Sequence, residues 1–473
     1  MLYIDDLMSI TGIRGTFLDF IDDPWKHIGN EQAAARFFTD GLLVVGNGII
    51  RDFGSFDETS RKYPDLEINH IKNRIILPGF IDGHIHFPQT RIIGSYGEQL
   101  LPWLQKWVFP EEIKYKDRAY ATEGATHFFD NLLSSGTTTC QAFTTSSPVS
   151  AEVFFEEAAR RNMRVIAGLT GIDRMAPDDY MDSAGNFHRD STELIAKYHR
   201  NGRNLYAITP RFAFGASDEL LEACRQLKHE HPDCWVNTHI SENPSECRGV
   251  LEFHPGCDDY LGIYEKYDLV GPKFTGGHGI YLSDGEFDRM SKSGAAVCFC
   301  PCSNLFLGSG LFRIGRATDP ESRVKMSFGS DVGGGNRFCL LNTLDEAYKV
   351  GMCNNTMLDG SIDPEKQNLA EAERNKLSPY RAFWSITLGG AEALYIDEYI
   401  GNFTPGKEAD FVVLDWNAGP SAQAWHQSLL LDGKSGPQTI DDAANLLFSI
   451  MMIGDDRNVD ETWIMGRRAY KKA

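Results

Sequence analysis

The chain has 473 residues, of which 42% are hydrophobic and 24% are charged, a composition that excludes extended disorder and fibrous repeats. Acidic residues outnumber basic ones by 66 to 46, which gives a formal net charge of −20. Such a negative field repels phosphate backbones and anionic lipid, so we expect neither a nucleic-acid partner nor a membrane partner.

Both ends of the chain are predicted to form short strands separated by turns. Strand patterns lie at residues 15–20, 41–45, 49–53, 409–415 and 461–465. We therefore expect residues 1–76 and 401–473 to combine into one small β-sandwich domain.

The segment between them, residues 77–400, alternates short apolar runs with amphipathic stretches of helical period, a pattern typical of βα units on a parallel sheet. Helical patterns lie at 151–162, 218–229 and 284–293. Candidate strands lie at 75–86, 137–143, 164–170, 205–211, 235–241, 274–279, 295–301 and 325–331. Eight parallel strands with intervening helices predict an α/β fold, a (β/α)8 barrel of the TIM type.

The sequence gives no indication of membrane insertion or secretion. The longest apolar run, residues 446–453, is under half the length that a membrane helix needs. The first residues carry two early acids in place of a basic-then-apolar signal pattern. The ten cysteines are scattered without a short-range disulfide framework. We expect a cytoplasmic protein with reduced thiols.

Ligand-type side chains end four of the predicted barrel strands. The first strand ends in Asp-Gly-His-Ile-His, and its period of two places His84 and His86 on the same side. Three other strands end in His239, His278 and Asp331. The carboxyl ends of barrel strands face one pocket, and imidazoles with one carboxylate suit zinc first and iron next. The sequence therefore predicts a metal site with room for a water molecule.

Two further patterns are open to a metal-binding interpretation. The His-Glu-His motif at 229–231 ends a polar helix, and we interpret it as solvated surface. The alternating cysteines at 298–302 lack the C-x-x-C spacing of structural zinc sites, and we interpret them as small strand residues. His84 and His86 differ because an apolar strand drives them into the core, where an unligated histidine is costly.

Several motifs resemble those of a known family. The stretch 78–86 (PGFIDGHIH) resembles the opening of the amidohydrolase superfamily. Further matching blocks are 87–90 (FPQT), 101–104 (LPWL), 238–243 (THISEN), 278–283 (HGIYLS), 303–310 (SNLFLGSG), 330–335 (SDVGGG) and 401–410 (GNFTPGKEAD). With these blocks the chain resembles, over essentially its whole length, the guanine deaminase family of that superfamily. Cys302 stands where we expect a threonine, a departure that leaves the ligands untouched.

The resemblance implies a single zinc ion and a set of catalytic residues. The implied zinc ligands are His84, His86, His239 and Asp331. Asp331 is expected to take a proton from the attacking water, and His278 to orient the nucleophile or stabilise the addition intermediate. Glu242 is expected to carry the proton to a ring nitrogen and then to departing ammonia. Binuclear members carry a carbamylated lysine at the end of strand four, but residues 207–212 contain no lysine.

The same resemblance implies guanine as the substrate, which water converts to xanthine and ammonia in purine catabolism. Gln89 and Arg211 are expected to bind the carbonyl edge of the purine, with Phe212 against the ring. Glu242 and His278 are expected to contact the substrate as well. The family also implies a homodimer.

Three questions stay open. Residues 103–109 either form a lid or pack the barrel mouth, and Asp82 is expected to orient a ligating histidine. The same machinery also suits another aminated ring, such as 8-oxoguanine, a pterin or a triazine, and Gln89, Arg211 and Phe212 decide between these. A scaffold protein on a dead barrel is a remote alternative, because such proteins lose ligands that this chain retains.

Overall fold

A parallel barrel is the centre of the computed structural model, which describes residues 10–97, 99–419 and 421–473. The strands, in chain order, are β1 (Ile10–Phe20), β2 (Ala35–Gly46), β3 (Ile49–Ser55), β4 (Glu67–Pro78), β5 (Phe80–His86), β6 (Thr137–Phe143), β7 (Arg164–Gly168), β8 (Thr170–Gly171), β9 (Asn204–Pro210), β10 (Trp235–Ile240), β11 (Phe274–His278), β12 (Ala296–Phe299), β13 (Lys325–Phe328), β14 (Phe411–Leu414), β15 (Val459–Ile464) and β16 (Arg467–Lys471).

Helices connect most of these strands. The α-helices are α1 (Phe56–Lys62), α2 (Leu100–Trp103), α3 (Phe109–Glu112), α4 (Arg118–Ser134), α5 (Pro148–Arg160), α6 (Ala184–Tyr198), α7 (Asp218–Glu230), α8 (Pro244–Phe253), α9 (Tyr260–Lys266), α10 (Asp284–Ser293), α11 (Pro301–Phe306), α12 (Ile314–Ala317), α13 (Leu340–Asn354), α14 (Leu369–Asn375), α15 (Pro379–Ser385), α16 (Leu388–Ala393), α17 (Ser421–Leu430) and α18 (Ile440–Ile453). A π-helical turn, Leu104–Val108, joins α2 to α3.

The barrel strands follow the order β5-β6-β7-β9-β10-β11-β12-β13, and neighbouring strands are parallel. Backbone hydrogen bonds of 2.9 Å run from His86 N to Val332 O and from Asp331 N to His84 O. They tie the end of β5 to the segment after β13 and so close the ring. The prediction of a (β/α)8 barrel is confirmed.

The predicted first strand, residues 75–86, is wrong in its extent because it is two strands. β4 pairs with β1 and β14, whereas β5 pairs with β6 in the barrel. The chain passes from one sheet to the other at Gly79, where a Cβ would lie 2.1 Å from Oγ1 of Thr138. Glycine therefore permits a close approach that no larger residue allows.

The second sheet is built from both ends of the chain. Its strand order is β16-β15-β14-β4-β1-β2-β3, so the strands before residue 79 and those after residue 410 lie side by side. The prediction of a small β domain from both chain ends is confirmed. Residues 1–9 of its predicted first segment lie outside the described residues.

An ionic network, here named the barrel-floor cluster, links this sheet to the amino ends of β7 and β9. It consists of Arg164, Arg203, Glu408 and Asp410. Nη2 of Arg203 donates to Oε2 of Glu408 at 2.6 Å and to Oδ2 of Asp410 at 2.5 Å. Nε of Arg164 donates to Oε2 of Glu408 at 2.9 Å. Each charge in the cluster therefore has an opposite charge in contact.

The predicted apolar run at 446–453 forms the second half of α18. Leu446, Leu447 and Ile450 of this helix are buried in the main hydrophobic core. Across the three described ranges, no helix has both the length and the apolar character needed to cross a membrane.

Candidate active site

One cavity lies at the carboxyl ends of the barrel strands and has a volume of about 380 Å³. Most of the predicted site residues line it: His86, Gln89, Arg211, Phe212, His239, Glu242, His278 and Asp331. The remaining predicted residue, His84, lies 3.5 Å from the carboxylate of Asp331 through its Nε2. The structure thus brings all of the predicted site residues together.

His84 and His86 face the carboxylate of Asp331, and His84, His86 and His239 have ring nitrogens within 4.8 Å of one another. We name these four residues the metal-ligand cluster, after their predicted role. Nε2 of His84 and Nε2 of His86 lie 3.5 and 3.4 Å from Oδ1 of Asp331. Nε2 of His239 lies 3.0 Å from Nε2 of His86. Nδ1 of His239 faces the carbonyl oxygen of Arg211 at 2.5 Å. Nδ1 therefore carries the proton, and the lone pair of Nε2 is free to bind a cation.

Burial keeps these histidines in the neutral form that binds metal. Desolvation, followed by the charge of neighbouring histidines, lowers the pKa of His84, His86 and His239 well below its usual range. Within the described residues, both ring nitrogens of His84 and Nδ1 of His86 are buried without a hydrogen-bond partner. Buried polar atoms without partners are costly, and a cation held at Nε2 relieves part of that cost. Three imidazoles with one carboxylate therefore fit a divalent metal ion.

Asp331 and His278 reach the cavity through an uncommon backbone conformation at strand ends. Their φ angles are 48° and 73°, in the left-handed region that non-glycine residues seldom adopt and that clusters at functional sites. Burial raises the pKa of Asp331 to about 7, although His278 beside it acts to lower that pKa. A carboxyl group with such a pKa is able to accept and release a proton at neutral pH.

Glu242 lies just beyond the end of β10 and faces His278. Oε2 of Glu242 is 3.5 Å from Nε2 of His278. The hydroxyl of Ser309 donates to Oε1 of Glu242 at 3.3 Å, and Oδ1 of Asn304 lies 3.2 Å from Nδ1 of His278. Burial, followed by the charge of Glu246, raises the pKa of Glu242 well above its usual range. Burial therefore favours the protonated form of Glu242, which is able to donate a proton.

Gln89 and Arg211 also line the cavity, and both are bound to Glu112. We name the surface that these two side chains form the recognition wall, after their predicted role. Nε2 of Gln89 donates to Oε1 of Glu112 at 2.8 Å, and Nη1 of Arg211 donates to Oε2 at the same distance. The hydroxyl of Tyr180 also donates to Oε2 of Glu112. The backbone N–H of Gly333 donates to Oε1 of Gln89 at 3.1 Å. The two predicted recognition side chains are thus held in one network.

Apolar side chains complete the cavity. The apolar lining residues include Trp103, Leu104, Phe212 and Leu307. Phe109 packs beneath the guanidinium of Arg211, 5.6 Å from ring centroid to Cζ. Residues 103–109 therefore contribute to the cavity lining at one end and pack against Arg211 at the other.

Asp82 holds the backbone of two strand ends. Its carboxylate accepts N–H donors from His84 at 3.2 Å and from Ser330 at 3.0 Å, and the Ser330 hydroxyl at 2.5 Å. The expectation that Asp82 orients a ligand is met through the main chain of His84, because no contact to an imidazole occurs within the described residues. Burial raises the pKa of Asp82 to about 7.

The two other sequence patterns that contain metal-binding residue types lie in different places: one is on the surface and the other is beside the cavity. His229 is exposed on the surface. Cys300 is buried, and its sulfur lies within 4.8 Å of ligand atoms of His84, His278 and Asp331. Burial raises the pKa of the Cys300 thiol well above its usual value, which favours the thiol over the thiolate.

Sequence reasoning missed the side chains that hold the site residues in place. These are Glu112, Tyr180, Glu246, Asn304 and Ser309. Asn304 and Ser309 fall inside the 303–310 block, so their polar character beside a predicted strand end was a usable signal. Glu246 accepts the backbone N–H of Glu242 at 3.0 Å as part of the cap of α8. Glu112 and Tyr180 lie in connecting segments, where periodicity carries no such signal.

Comparison with known proteins agrees with the resemblance seen in the motifs. The amidohydrolase family model matches residues 75–469. The guanine deaminase of Escherichia coli (strain K12) is 40% identical over 469 residues, covering 98% of each chain. A probable guanine deaminase of Deinococcus radiodurans is 36% identical over 438 residues, covering 92% of this chain and 93% of that protein.

A solved structure gives the same result in three dimensions. The crystal structure of guanine deaminase from Bradyrhizobium japonicum is 72% identical and superposes with a TM-score of 0.97, covering 98% of this chain and 100% of that one. The chain therefore belongs to the amidohydrolase family, among its guanine deaminase-like members.

Proposed function

We propose that this protein is a hydrolase that uses one zinc ion per chain to deaminate guanine to xanthine and ammonia. The observation that carries the proposal is the arrangement of the cavity. Members of the metal-ligand cluster, Glu242, and the donors of Gln89 and Arg211 all line one cavity. The 40% and 72% identities to guanine deaminases over nearly the whole chain support the same substrate.

The zinc ion would be held by His84, His86, His239 and Asp331. When bound, such an ion lowers the pKa of water toward neutrality and so supplies a nucleophile at pH 7. Zinc is the metal that suits three imidazoles and one carboxylate best, with iron next. The absence of a lysine from 207–212 supports a single ion.

The remaining chemistry is proton movement by the chain's own side chains. In the proposed reaction the water oxygen bonds to the ring carbon that carries the amino group, and that carbon–nitrogen bond then breaks. Asp331 takes a proton from the water. Glu242 gives its proton to the ring nitrogen beside the reacting carbon, takes up the hydroxyl proton of the addition intermediate and delivers that proton to the departing amine. The proton on Asp331 then restores the protonated form of Glu242. His278, 3.5 Å from Glu242, orients the nucleophile and stabilises the addition intermediate.

We assign substrate recognition to Gln89, Arg211 and Phe212. Arg211 and Gln89 present N–H donors, which match the carbonyl oxygen and ring acceptor of guanine. Phe212 supplies an apolar face for the ring.

The cellular setting and the domain limits are part of the same proposal. We infer a cytoplasmic homodimer that acts in purine catabolism. We also infer two units, residues 77–400 as the catalytic barrel and residues 1–76 with 401–473 as the β domain. The strand order of the second sheet supports this division.

The test is a measurement of zinc content together with guanine turnover for wild type and Glu242→Gln. We expect about one zinc per chain in both proteins, and turnover in wild type only. The variant should lose roughly 10²- to 10⁴-fold in kcat, the range of a general acid–base catalyst. Turnover is followed by purine absorbance and by ammonia release.

Two results would contradict the proposal. Full zinc content without guanine turnover in wild type would leave a metal hydrolase for another aminated ring, and a panel of 8-oxoguanine, pterins and triazines would follow. Neither metal nor turnover after zinc is offered would favour a scaffold protein on an inactive barrel.

A further inference from the structure

Glu112 is the centre of the hydrogen-bond network on the recognition wall. It ends α3 and is fully buried. Its two carboxylate oxygens accept from Gln89, Arg211 and Tyr180. A buried carboxylate is costly unless charged or strongly polar donors surround it. Here the donors are two side chains that line the cavity, together with a tyrosine.

This network fixes which way the amide of Gln89 points. Oε1 accepts from the backbone N–H of Gly333 at 3.1 Å, and Nε2 donates to Glu112 at 2.8 Å. A flipped amide would set its N–H₂ against the N–H of Gly333 and its oxygen against the carboxylate. The second N–H of Nε2 is therefore left as the donor that Gln89 offers to a ligand.

The guanidinium of Arg211 is fixed in the same way. Nη1 donates to Glu112 at 2.8 Å and lies 3.3 Å from the hydroxyl of Tyr180. Within the described part of the chain, Nε and Nη2 of Arg211 have no acceptor. Because Arg211 lines the cavity, these remaining N–H groups are free to bind a molecule held there.

We propose that Glu112 is a positioning residue that turns the free donors of Gln89 and Arg211 toward the substrate, and so selects rings with a carbonyl oxygen beside the reacting amidine. This inference rests on the proposed deamination of guanine. A purine with an amino group at that carbonyl position would set its N–H donors against the N–H donors of Gln89 and Arg211. Buried donors without partners are costly, so the site rejects such a ring.

The test compares guanine with 2,6-diaminopurine, which has the same reacting amino group but an amino group in place of the carbonyl. The steady-state kcat and KM of both rings are measured for wild type, Glu112→Gln, Tyr180→Phe and Glu111→Gln, with zinc content for each protein. Glu111 is the matched control because it adjoins Glu112 but binds Lys114 and Tyr120, away from the cavity.

We expect wild type to prefer guanine by at least about 100-fold in kcat/KM. An amide at position 112 offers one acceptor oxygen and sets an N–H₂ against the donors around it. Glu112→Gln should therefore lower kcat/KM for guanine about 10- to 100-fold, mainly through KM, and lower the preference at least about tenfold. Zinc content should stay at the wild-type level.

The other two variants should change the preference for guanine over 2,6-diaminopurine less than Glu112→Gln does. Tyr180→Phe removes one donor from Glu112 and keeps both charges, so we expect a preference reduced only a few-fold, about 2- to 5-fold. Glu111→Gln should keep the wild-type preference. If Glu112→Gln does not fold, Tyr180→Phe still tests the proposal. An unchanged preference for guanine over 2,6-diaminopurine in Tyr180→Phe would then overturn it.

The outcomes separate this inference from the proposed function. Equal losses on both rings in Glu112→Gln, with the preference unchanged, would show a merely structural role for Glu112 and overturn the inference alone. The inference is also overturned if Glu111→Gln changes the preference as much as Glu112→Gln does. A wild type without guanine turnover would overturn the proposed function, and this inference with it.

Discussion

Two buried polar clusters lie at opposite ends of the barrel, and they are satisfied in opposite ways. In the barrel-floor cluster each arginine contacts a carboxylate at 2.5–2.9 Å. In the metal-ligand cluster the imidazole nitrogens of His84 have no hydrogen-bond partner within the described residues. Both clusters are built from residues that are expensive to bury.

The difference separates a stabilising network from a binding site. A cluster whose charges are all paired needs nothing from outside, and it joins the β domain to the amino ends of the strands. A cluster with free lone pairs at the carboxyl ends is complete only with a cation. This division agrees with the general design of such barrels, whose stability and chemistry lie on opposite faces.

The largest effect is expected from a substitution in the metal-ligand cluster. His86→Ala removes one imidazole from the point where Nε2 of His86 and Nε2 of His239 lie 3.0 Å apart. We expect zinc content to fall well below one per chain and guanine turnover to fall below detection, because the ion loses one of the four side chains that would hold it. Metal analysis and the guanine assay check this.

The control for this variant is His229→Ala, since His229 belongs to the exposed His-Glu-His motif. It should keep wild-type zinc content and turnover. Equal losses in the two variants would contradict the assignment of the ligands.

The next largest effect is expected from a substitution in the barrel-floor cluster. Glu408→Gln leaves the buried charges of Arg164 and Arg203 with fewer partners, and we expect the free energy of unfolding to fall by about 3 kcal/mol. Turnover per folded, zinc-loaded molecule should not change. Thermal or denaturant unfolding measures the first quantity, and zinc-normalised kinetics measure the second.

Glu219→Gln is the matched control, because Glu219 is exposed on α7. It should change the free energy of unfolding by less than about 0.5 kcal/mol. If Glu408→Gln lowered turnover per folded molecule instead, the separation of the two clusters would be wrong.

A smaller effect sharpens the comparison within the active site. Asn304→Ala removes the partner that lies 3.2 Å from Nδ1 of His278. We expect kcat to fall about 10- to 100-fold, the usual cost of losing a group that orients a site imidazole. Zinc content should be retained, since Asn304 contacts no predicted ligand within the described residues. Loss of the metal in this variant would assign His278 to the metal-ligand cluster.

The fold was largely predictable because its signals are local. Strands such as β6 and helices such as α10 repeat their period within a few residues, and the structure matches 137–143 and 284–293. The break at Gly79 was not predicted, since the apolar run at residues 75–81 (IILPGFI) continues across it. Only the close approach of Thr138 in space reveals that the run divides between two sheets.

The sequence predicted the ligand-type residues of the candidate site but not the residues that hold Gln89 and Arg211 in place. Its ligand-type residues end apolar strands, and the barrel geometry brings strand ends together. Glu112 was missed because it ends a four-residue helix in a connecting segment, and its partners Gln89 and Arg211 lie 23 and 99 residues away in the chain. No local pattern reveals contacts of that separation.

The smallest expected effect is a pH dependence that belongs to the barrel floor. Burial acts to raise the pKa of Glu408, but hydrogen bonds and charge from Arg164 and Arg203 outweigh it and lower the net pKa below 4.5. A carboxyl group with a lowered folded-state pKa stabilises the protein above its unfolded pKa. That contribution disappears as the pH falls through the folded-state value.

The advantage of wild type over Glu408→Gln in thermal midpoint should therefore be full at pH 7 and shrink as the pH falls below about 4.5. The pKa of Asp410 is raised by burial and also by the charge of Glu408, so Asp410 acts in the opposite direction and does so less in Glu408→Gln. A difference that stayed constant from pH 7 to pH 3 would mean that Glu408 contributes through packing, and the barrel floor would then owe its stability to shape and not to paired charge.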